Sequence, residues 1–292
     1  MKFRAALAQI DCKVGDLQDN LQHHLIAIEK AKQQGAKLVV FPELSLTGYT
    51  LRDLAWDLAI DPFEDKRLDP LREASKEISI VVGFVESASN HGIYNSALFL
   101  EDGIIRHVHR KIYPPTYGMF EEGRYFSRGD QVAAFDSKLG RFGILICEDL
   151  WHISLPYLLA YDGAEVILSL TASPSRMSPG GQEMANAQVN HEHHKTYARL
   201  LSSYVLFCNR VGYEDGVNFW GGSCIVTPGG TMAGSARFFK EDMIMADLDS
   251  LEIQRARRFS RHFLDEDLAI THRALARIRA TNGLKTTDEA SS

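Results

Sequence analysis

Three residues with complementary reactive groups, Glu43, Lys111 and Cys147, each stand at the end of a stretch that predicts a β-strand. In layered α/β proteins such strand ends open into the crevice where ligands bind. A thiol attacks as its thiolate, so a nearby carboxylate can accept its proton and an ammonium can stabilise the negative charge that forms on the substrate. The three side chains together predict nucleophilic catalysis through Cys147.

Each of these residues could also have a non-catalytic role. A free cysteine that ends a buried strand is more often a small packed side chain than a nucleophile. A glutamate after a strand is often a surface residue, and a lysine in the pair Arg110-Lys111 is usually solvated. The catalytic interpretation therefore depends on whether the three residues lie in one pocket.

The elements that must position these residues alternate between strands and helices. Runs rich in apolar and β-branched residues predict strands, and apolar residues at helical spacing predict helices. The predicted strands are 3–9, 37–41, 78–85, 95–100, 104–109, 139–147, 164–170, 205–208, 223–227 and 243–247. The predicted helices are 17–28, 68–77, 155–161, 182–203 and 264–278. This order, with a hairpin turn at Glu101-Asp102-Gly103, favours one layered α/β domain with mixed sheets over residues 1–280. We expect the small, polar tail 281–292 to be disordered.

The composition argues against several classes of partner. The chain has 292 residues and a net charge of −6, so it lacks the basic field that binds phosphate backbones, and we expect no nucleic-acid partner. No stretch approaches the ~20 apolar residues that a helix needs to cross a bilayer, so we expect no membrane partner. The four cysteines lie far apart, and without a visible secretion signal they predict reduced thiols and a cytoplasmic location. Three of them are interpreted as structural: Cys12, Cys208 and Cys224.

A histidine cluster raises the question of a metal. His191 and His194 would share one face of the predicted helix 182–203, with His193 beside them. No further ligand stands at a recognisable spacing, so we interpret this face as solvated and predict no metal site. Trp220 could line a pocket or pack in a turn, and the sequence leaves both open.

The sequence around the three reactive residues resembles the nitrilase, or carbon–nitrogen hydrolase, superfamily. The similar segments are Phe41-Pro42-Glu43, Arg110-Lys111 with Pro114, and Cys147-Glu148-Asp149, with support from residues 46–49 and 209–212. The resemblance spans residues 2–251 and implies a four-layer αββα sandwich. It also implies that Glu43 is the general base, that Lys111 and the backbone N–H of Glu148 hold an oxyanion, and that Cys147 forms a thioester which water hydrolyses. This mechanism requires no cofactor.

A second acidic residue follows from the same resemblance. Residues 121–126 resemble the family segment that carries another active-site glutamate, and the alignment gives that role to Glu122. Glu122 would position Lys111 and the substrate. Because Glu121 precedes it, a shift of one residue would give the role to Glu121 instead, and the sequence leaves both open.

Further details are similar to one branch of the family, the glutaminase domain of glutamine-dependent NAD synthetases. That branch has the motif Cys-Glu-Asp-x-Trp, as here at 147–151. The similarity implies that Tyr117, Glu148, Trp151 and Ser173 bind the substrate. Residues 175–178 depart from the branch, which usually has an aromatic residue and a Gly-Lys pair there, so we expect the far end of the substrate to be recognised differently. The branch's second, ATP-using domain has no counterpart in this sequence, and we expect that the chain does not make NAD by itself.

Three functions remain open at this point. The first is a free-standing amidase that cleaves a small, linear, non-peptide amide and releases ammonia or an amine. The second is a glutaminase subunit that supplies ammonia to a separate NAD synthetase. The third is a catalytically inactive binding or scaffold protein, against which the intact Glu43, Lys111 and Cys147 argue. The resemblance also implies a homo-oligomer, because the family usually pairs two sandwiches.

Overall fold

A computed structural model describes residues 1–175 and 185–282. Over these residues the strands are β1 (Lys2–Gln9), β2 (Leu38–Val40), β3 (Ser79–Ser87), β4 (Ile93–Glu101), β5 (Ile104–Arg110), β6 (Phe135–Ser137), β7 (Gly140–Ile146), β8 (Val166–Thr171), β9 (Tyr204–Asn209), β10 (Val211–Glu214), β11 (Val217–Trp220), β12 (Cys224–Val226), β13 (Met232–Ser235) and β14 (Asp242–Asp249). The helices are α1 (Leu17–Gln33), α2 (Leu54–Leu58), α3 (Asp69–Ala74), α4 (Glu122–Tyr125), α5 (Ser154–Tyr161), α6 (Ala185–Leu201), α7 (Ser250–Phe259) and α8 (Leu268–Asn282). Short 3-10 turns cover Lys66–Leu68, Cys147–Trp151 and Arg261–Phe263.

The strands form two six-stranded mixed sheets and one separate hairpin. The first sheet has the order β14-β1-β2-β3-β4-β5 and the second β13-β12-β9-β8-β7-β6, while β10 pairs with β11. In the first sheet β1, β2 and β3 run parallel, and in the second β7, β8 and β9 do so. The outer strands of both sheets pair antiparallel. The predicted mixed sheets are therefore confirmed.

The two sheets pack face to face, and helices cover their outer faces. The core between the sheets joins Leu7 and Val40 of the first sheet to Ile144 and Leu168 of the second. The other face of the first sheet packs against α1 and α3, and the other face of the second packs against α5 and α6. Strands buried on both faces read as continuous apolar runs, which is why the sequence identified them. The predicted αββα sandwich is confirmed.

The hairpin β10–β11 was absent from the sequence prediction. Its turn is Asp215-Gly216, and both residues have positive φ, 52° and 80°. This is the backbone shape of a type I′ turn, for which Asp-Gly is a strong signal. The flanking residues Val211 and Trp220 pair across the hairpin. The turn signal was therefore present in the sequence.

Two expectations for the helices need correction. The face of α6 that carries the histidines was predicted to be solvated, and this is wrong: His194 is only 1% exposed, and its ring lies 4.3 Å from that of Phe207. The reason is that α6 covers the second sheet, so this face packs against β9. The helix predicted at 264–278 begins at Leu268, after a 3-10 turn. Of the predicted tail 281–292, residues 281 and 282 lie in α8. Residues 182–184 and 283–292 lie outside the described residues.

Neither α6 nor any other helix in the described ranges has the length and apolar character that a bilayer span requires.

Candidate active site

The ends of strands from both sheets meet at one buried cluster. Glu43 follows β2 and Lys111 follows β5, both in the first sheet, whereas Cys147 follows β7 in the second. Lys111 Nζ lies 2.7 Å from Glu43 Oε1. Glu43 Oε2 accepts a hydrogen bond of 2.8 Å from the backbone N–H of Ala172, just after β8. The Glu43 carboxylate therefore bridges the two sheets beside the cysteine.

The second acidic residue of the cluster is Glu122, not Glu121. Glu122 lies at the start of α4, and its Oε1 is 2.7 Å from Lys111 Nζ. Glu121 is exposed and pairs with Arg124. Lys111 is 1% exposed, so its ammonium is held between two buried carboxylates.

The backbone at Cys147 turns sharply between β7 and the 3-10 turn that follows. Cys147 has φ 45°, a left-handed conformation that costs a non-glycine residue about 1–3 kcal/mol and often marks a functional position. Asp149 stabilises this turn, since its Oδ2 accepts from the backbone N–H of Ile146 at 3.1 Å and from His109 Nε2 at 3.0 Å. Its Oδ1 accepts from the backbone N–H groups of Ile112 and Tyr113, both at 3.0 Å. Asp149 thus ties the Cys147 turn to the segment after Lys111.

The electrostatics favour a protonated thiol in the resting site. Burial raises the pKa of Cys147 well above its usual value, and the charge of Glu43 raises it further, while Lys111 opposes the shift. Burial disfavours the ammonium of Lys111, but Glu122 and Glu43 outweigh this effect and raise the pKa of Lys111. The Cys147 thiol therefore needs a base to accept its proton before the sulfur can act as a nucleophile.

The Glu122 carboxyl predicts a pH dependence of stability. Burial, opposed by Lys111 and reinforced by Glu43, raises the pKa of Glu122 from its usual 4.5 to about 7. The folded state therefore retains a proton that the unfolded state releases, and this stabilisation is present below pH 4.5 and lost as the pH rises through about 7. Glu122→Gln is expected to flatten the decrease in unfolding free energy between about pH 5 and about pH 7.5. Urea unfolding at both pH values measures this, and Glu121→Gln is the matched control. Equal slopes for wild type and Glu122→Gln would contradict the prediction.

The four predicted substrate-binding residues form two groups. Tyr117 and Glu148 are in contact, because the Tyr117 hydroxyl donates to Glu148 Oε2 at 2.7 Å. Trp151 and Ser173 line a small cavity together with Cys147. The question about Trp220 is also answered: it is buried, and its indole N–H donates to Ser173 Oγ at 3.0 Å. Trp220 therefore supports the wall of this cavity.

Other residues near the cluster did not emerge from the sequence as site residues. The Tyr49 hydroxyl donates to Glu122 Oε1 at 2.5 Å. The backbone N–H of Tyr49 donates to the buried carboxylate of Glu214, which pairs with Arg210. Tyr49 and Arg210 lie within segments that carry the family resemblance, so a signal existed for them. Asn95 also contacts Glu122. The sequence contains no signal for its place in the site, apart from its position at the start of a predicted strand.

No group of three or more histidine, cysteine, aspartate or glutamate side chains suited to a metal ion occurs within residues 1–175 and 185–282.

The sequence of the chain matches a known family. The sequence profile of the carbon–nitrogen hydrolase family covers residues 4–258. The chain belongs to this family, within the nitrilase superfamily, and is a hydrolase of carbon–nitrogen bonds other than peptide bonds.

Three related proteins show which members of the family the chain is similar to. The chain is 34% identical over 247 residues to the glutamine-dependent NAD(+) synthetase of Acinetobacter baylyi, covering 85% of this chain and 44% of that protein. The structure of glutamine-dependent NAD+ synthetase from Acinetobacter baumannii superposes with a TM-score of 0.76 and 32% identity, covering 87% of this chain and 47% of that one. The chain thus spans less than half the length of these synthetases. The carbon–nitrogen hydrolase of Helicobacter pylori shares the fold, with a TM-score of 0.85 at 22% identity, covering 94% of this chain and 99% of that one.

Proposed function

We propose that the protein is an amidase that cleaves a small, linear, non-peptide amide through a thioester on Cys147. The observation that supports this most is the buried Glu43–Lys111–Glu122 cluster beside a cysteine at a strained turn. The cavity at Cys147 is bounded by Trp151, Ser173 and Phe207, which favours a short acyl group. Family membership is consistent with this chemistry.

The first half-reaction forms the thioester. Glu43 takes the proton of the Cys147 thiol, and the sulfur forms a bond to the amide carbon while the carbonyl π electrons move to oxygen. Lys111 and the backbone N–H of Glu148 stabilise that oxyanion, a contribution of about 3–4 kcal/mol per donor. Glu43 then gives its proton to the nitrogen, the C–N bond breaks, and ammonia or an amine leaves.

The second half-reaction hydrolyses the thioester. Glu43 accepts a proton from water, and the water oxygen bonds to the acyl carbon. The C–S bond breaks, the carboxylic acid is released, and the proton returns from Glu43 to sulfur. Glu122 stays beside Lys111 throughout and holds its ammonium in place.

A glutaminase that supplies a separate NAD synthetase is a second candidate. It is supported by the identity of this chain to glutamine-dependent NAD synthetases, 34% to that of Acinetobacter baylyi and 32% to that of Acinetobacter baumannii. The Glu148 carboxylate, held by Tyr117, would also suit the α-ammonium of glutamine. Residues 176–178, where the sequence departs from that branch, lie outside the described residues.

Ammonia release by the purified chain tests both candidates. The panel contains L-glutamine, the matching ω-amide without its amino group, short aliphatic amides and N-carbamoyl compounds. Turnover of the plain amides without a partner would support the amidase. Turnover of glutamine that rises sharply when an ammonia-dependent NAD synthetase is added would favour the glutaminase subunit. No turnover of any compound under either condition would contradict both.

Homo-oligomerisation stays a prediction from the family resemblance. Exposed apolar side chains on and beside α5, Ile153 and Leu158, are 71% and 47% exposed in the single chain, which is consistent with burial in an interface. Light scattering of the purified chain would show a monomer if this prediction is wrong.

A further inference from the structure

Asn95 contacts all three charged residues of the cluster. It lies on β4 and is fully buried. Its side-chain Nδ2 donates to Glu43 Oε1 at 2.8 Å and to Glu122 Oε2 at 3.4 Å. Its backbone C=O accepts from the N–H of Lys111 at 2.9 Å. One uncharged residue therefore joins the two carboxylates and also fixes the backbone of the lysine between them.

The charges around Asn95 explain why a neutral donor belongs there. The titratable groups of the cluster that Asn95 joins come from five separate segments of the chain: Glu43, Tyr49, Lys111, Glu122 and Cys147. When ionised, the two carboxylates repel each other and share a single ammonium. An N–H donor to both carboxylates stabilises their anionic forms without adding charge.

The orientation of the Asn95 amide supports this interpretation. Its Oδ1 is buried and accepts no hydrogen bond from any residue that the structure describes. A buried acceptor without a partner is unfavourable. Rotating the amide by half a turn would place this oxygen against two carboxylates, which repel it more strongly. The amide is thus oriented so that its N–H groups donate hydrogen bonds, while its oxygen accepts none from the described residues.

We propose that Asn95 is a positioning residue that holds Glu43 towards Cys147 and keeps Glu43 from sharing a proton with Glu122, so that it sets the lower pH limit of the reaction. The inference rests on the proposed function in one respect, since it takes Glu43 to be the base. Asn95 itself touches neither the thiol nor the substrate in this role. It acts through the two carboxylates.

The direct test is Asn95→Leu, which keeps the number of side-chain heavy atoms and the branch at Cγ but removes both N–H donors. The expected result is a fall in kcat of about 10- to 100-fold with little change in KM. The acid limb of the pH profile is expected to move to higher pH by about one unit, as a buried carboxylate that loses a charge-assisted donor becomes easier to protonate. A lower kcat with the acid limb unmoved would show a merely structural role and overturn the proposal.

The pH profile is measured in two ways, so that a failure of the proposed function can be distinguished from a failure of the proposal for Asn95. One readout is ammonia release, and the other is the rate at which iodoacetamide alkylates Cys147. If wild type turns over no amide, the proposed function fails, while the alkylation profile still tests Asn95. An alkylation limb that shifts in Asn95→Leu supports the positioning role, and one that does not shift overturns it.

Two further variants serve as a control and as a replacement if Asn95→Leu does not fold. Ser96→Ala is the matched control, because Ser96 is the next residue on β4, is equally buried, and bonds to Glu86 instead of the cluster. It is expected to leave the pH profile unchanged. If Asn95→Leu does not fold, Asn95→Asp keeps the shape but adds a negative charge and replaces an N–H donor, so its acid limb must also move to higher pH. An unshifted limb in that variant would likewise overturn the proposal.

Discussion

Cys147→Ala is expected to lower the rate of ammonia release by roughly four orders of magnitude or more, because removing the nucleophile leaves only substrate binding and oxyanion stabilisation. The fold should survive, since Cys147 is only partly buried and its side chain lies at the edge of the core between the sheets. Turnover is measured over the amide panel, and circular dichroism checks the fold. A variant as active as wild type would overturn the thioester mechanism.

The other cysteines provide the control for this result. Cys12 is 3% exposed, and burial, partly offset by Arg210, raises its pKa to about 12. Cys12→Ala is therefore expected to keep its activity. Iodoacetamide followed by peptide mass spectrometry should label Cys147 in wild type and leave Cys12, Cys208 and Cys224 unlabelled. Loss of activity in Cys12→Ala with unchanged folding would contradict the structural interpretation of Cys12.

Lys111→Met is expected to lower kcat by about 10³-fold, the effect of losing one oxyanion donor. It should also destabilise the fold by about 3–5 kcal/mol near neutral pH, because breaking a buried ion pair leaves charge without a partner. Here two carboxylates, Glu43 and Glu122, would face each other without the cation that both contact at 2.7 Å.

The pH dependence of the Lys111→Met variant separates this cause from a simple packing defect. Without the cation, one carboxyl group retains its proton in the folded state at a pH where the unfolded chain has released it. The folded state then binds more protons, so the unfolding free energy of the variant falls as the pH rises. Urea unfolding at about pH 5.5 and about pH 8 should show that the unfolding free energy decreases more between these two pH values in the variant than in wild type. Lys32→Met, which removes two surface pairs, with Glu29 and Glu77, is the control and should change little. A pH-independent destabilisation of Lys111→Met would contradict the described cluster.

The sequence indicated the layered fold because its signals are local. The runs that became β2, β7 and β8 are apolar and β-branched, and buried strands require such side chains on both faces. The hairpin of β4 and β5 followed from Asp102-Gly103, whose φ values of 54° and 79° suit a tight turn. Asp215-Gly216 carries the same local signal, with φ values of 52° and 80°.

The histidines of α6 show where a local argument fails. Helical spacing placed His191 and His194 on one face, and their polarity suggested solvent. In the structure that face packs on the second sheet, and the His191 imidazole instead satisfies the backbone carbonyl of Gly222 at 2.8 Å. A polar residue can be buried when a partner is provided, and the partner lies far away in the sequence.

The sequence by itself determined which residues could react and on which strand ends they stand, since Glu43, Lys111 and Cys147 each follow a strand that local composition identifies. Only the tertiary structure decided which groups meet them. Glu122 rather than Glu121 faces Lys111, and Asn95 reaches Glu43 across 52 positions of the chain. The physical reason is that these contacts depend on how the strands pair in the sheet and how α4 packs against it. Hydrophobic periodicity specifies which face of an element is buried, but not which distant side chain lies opposite it.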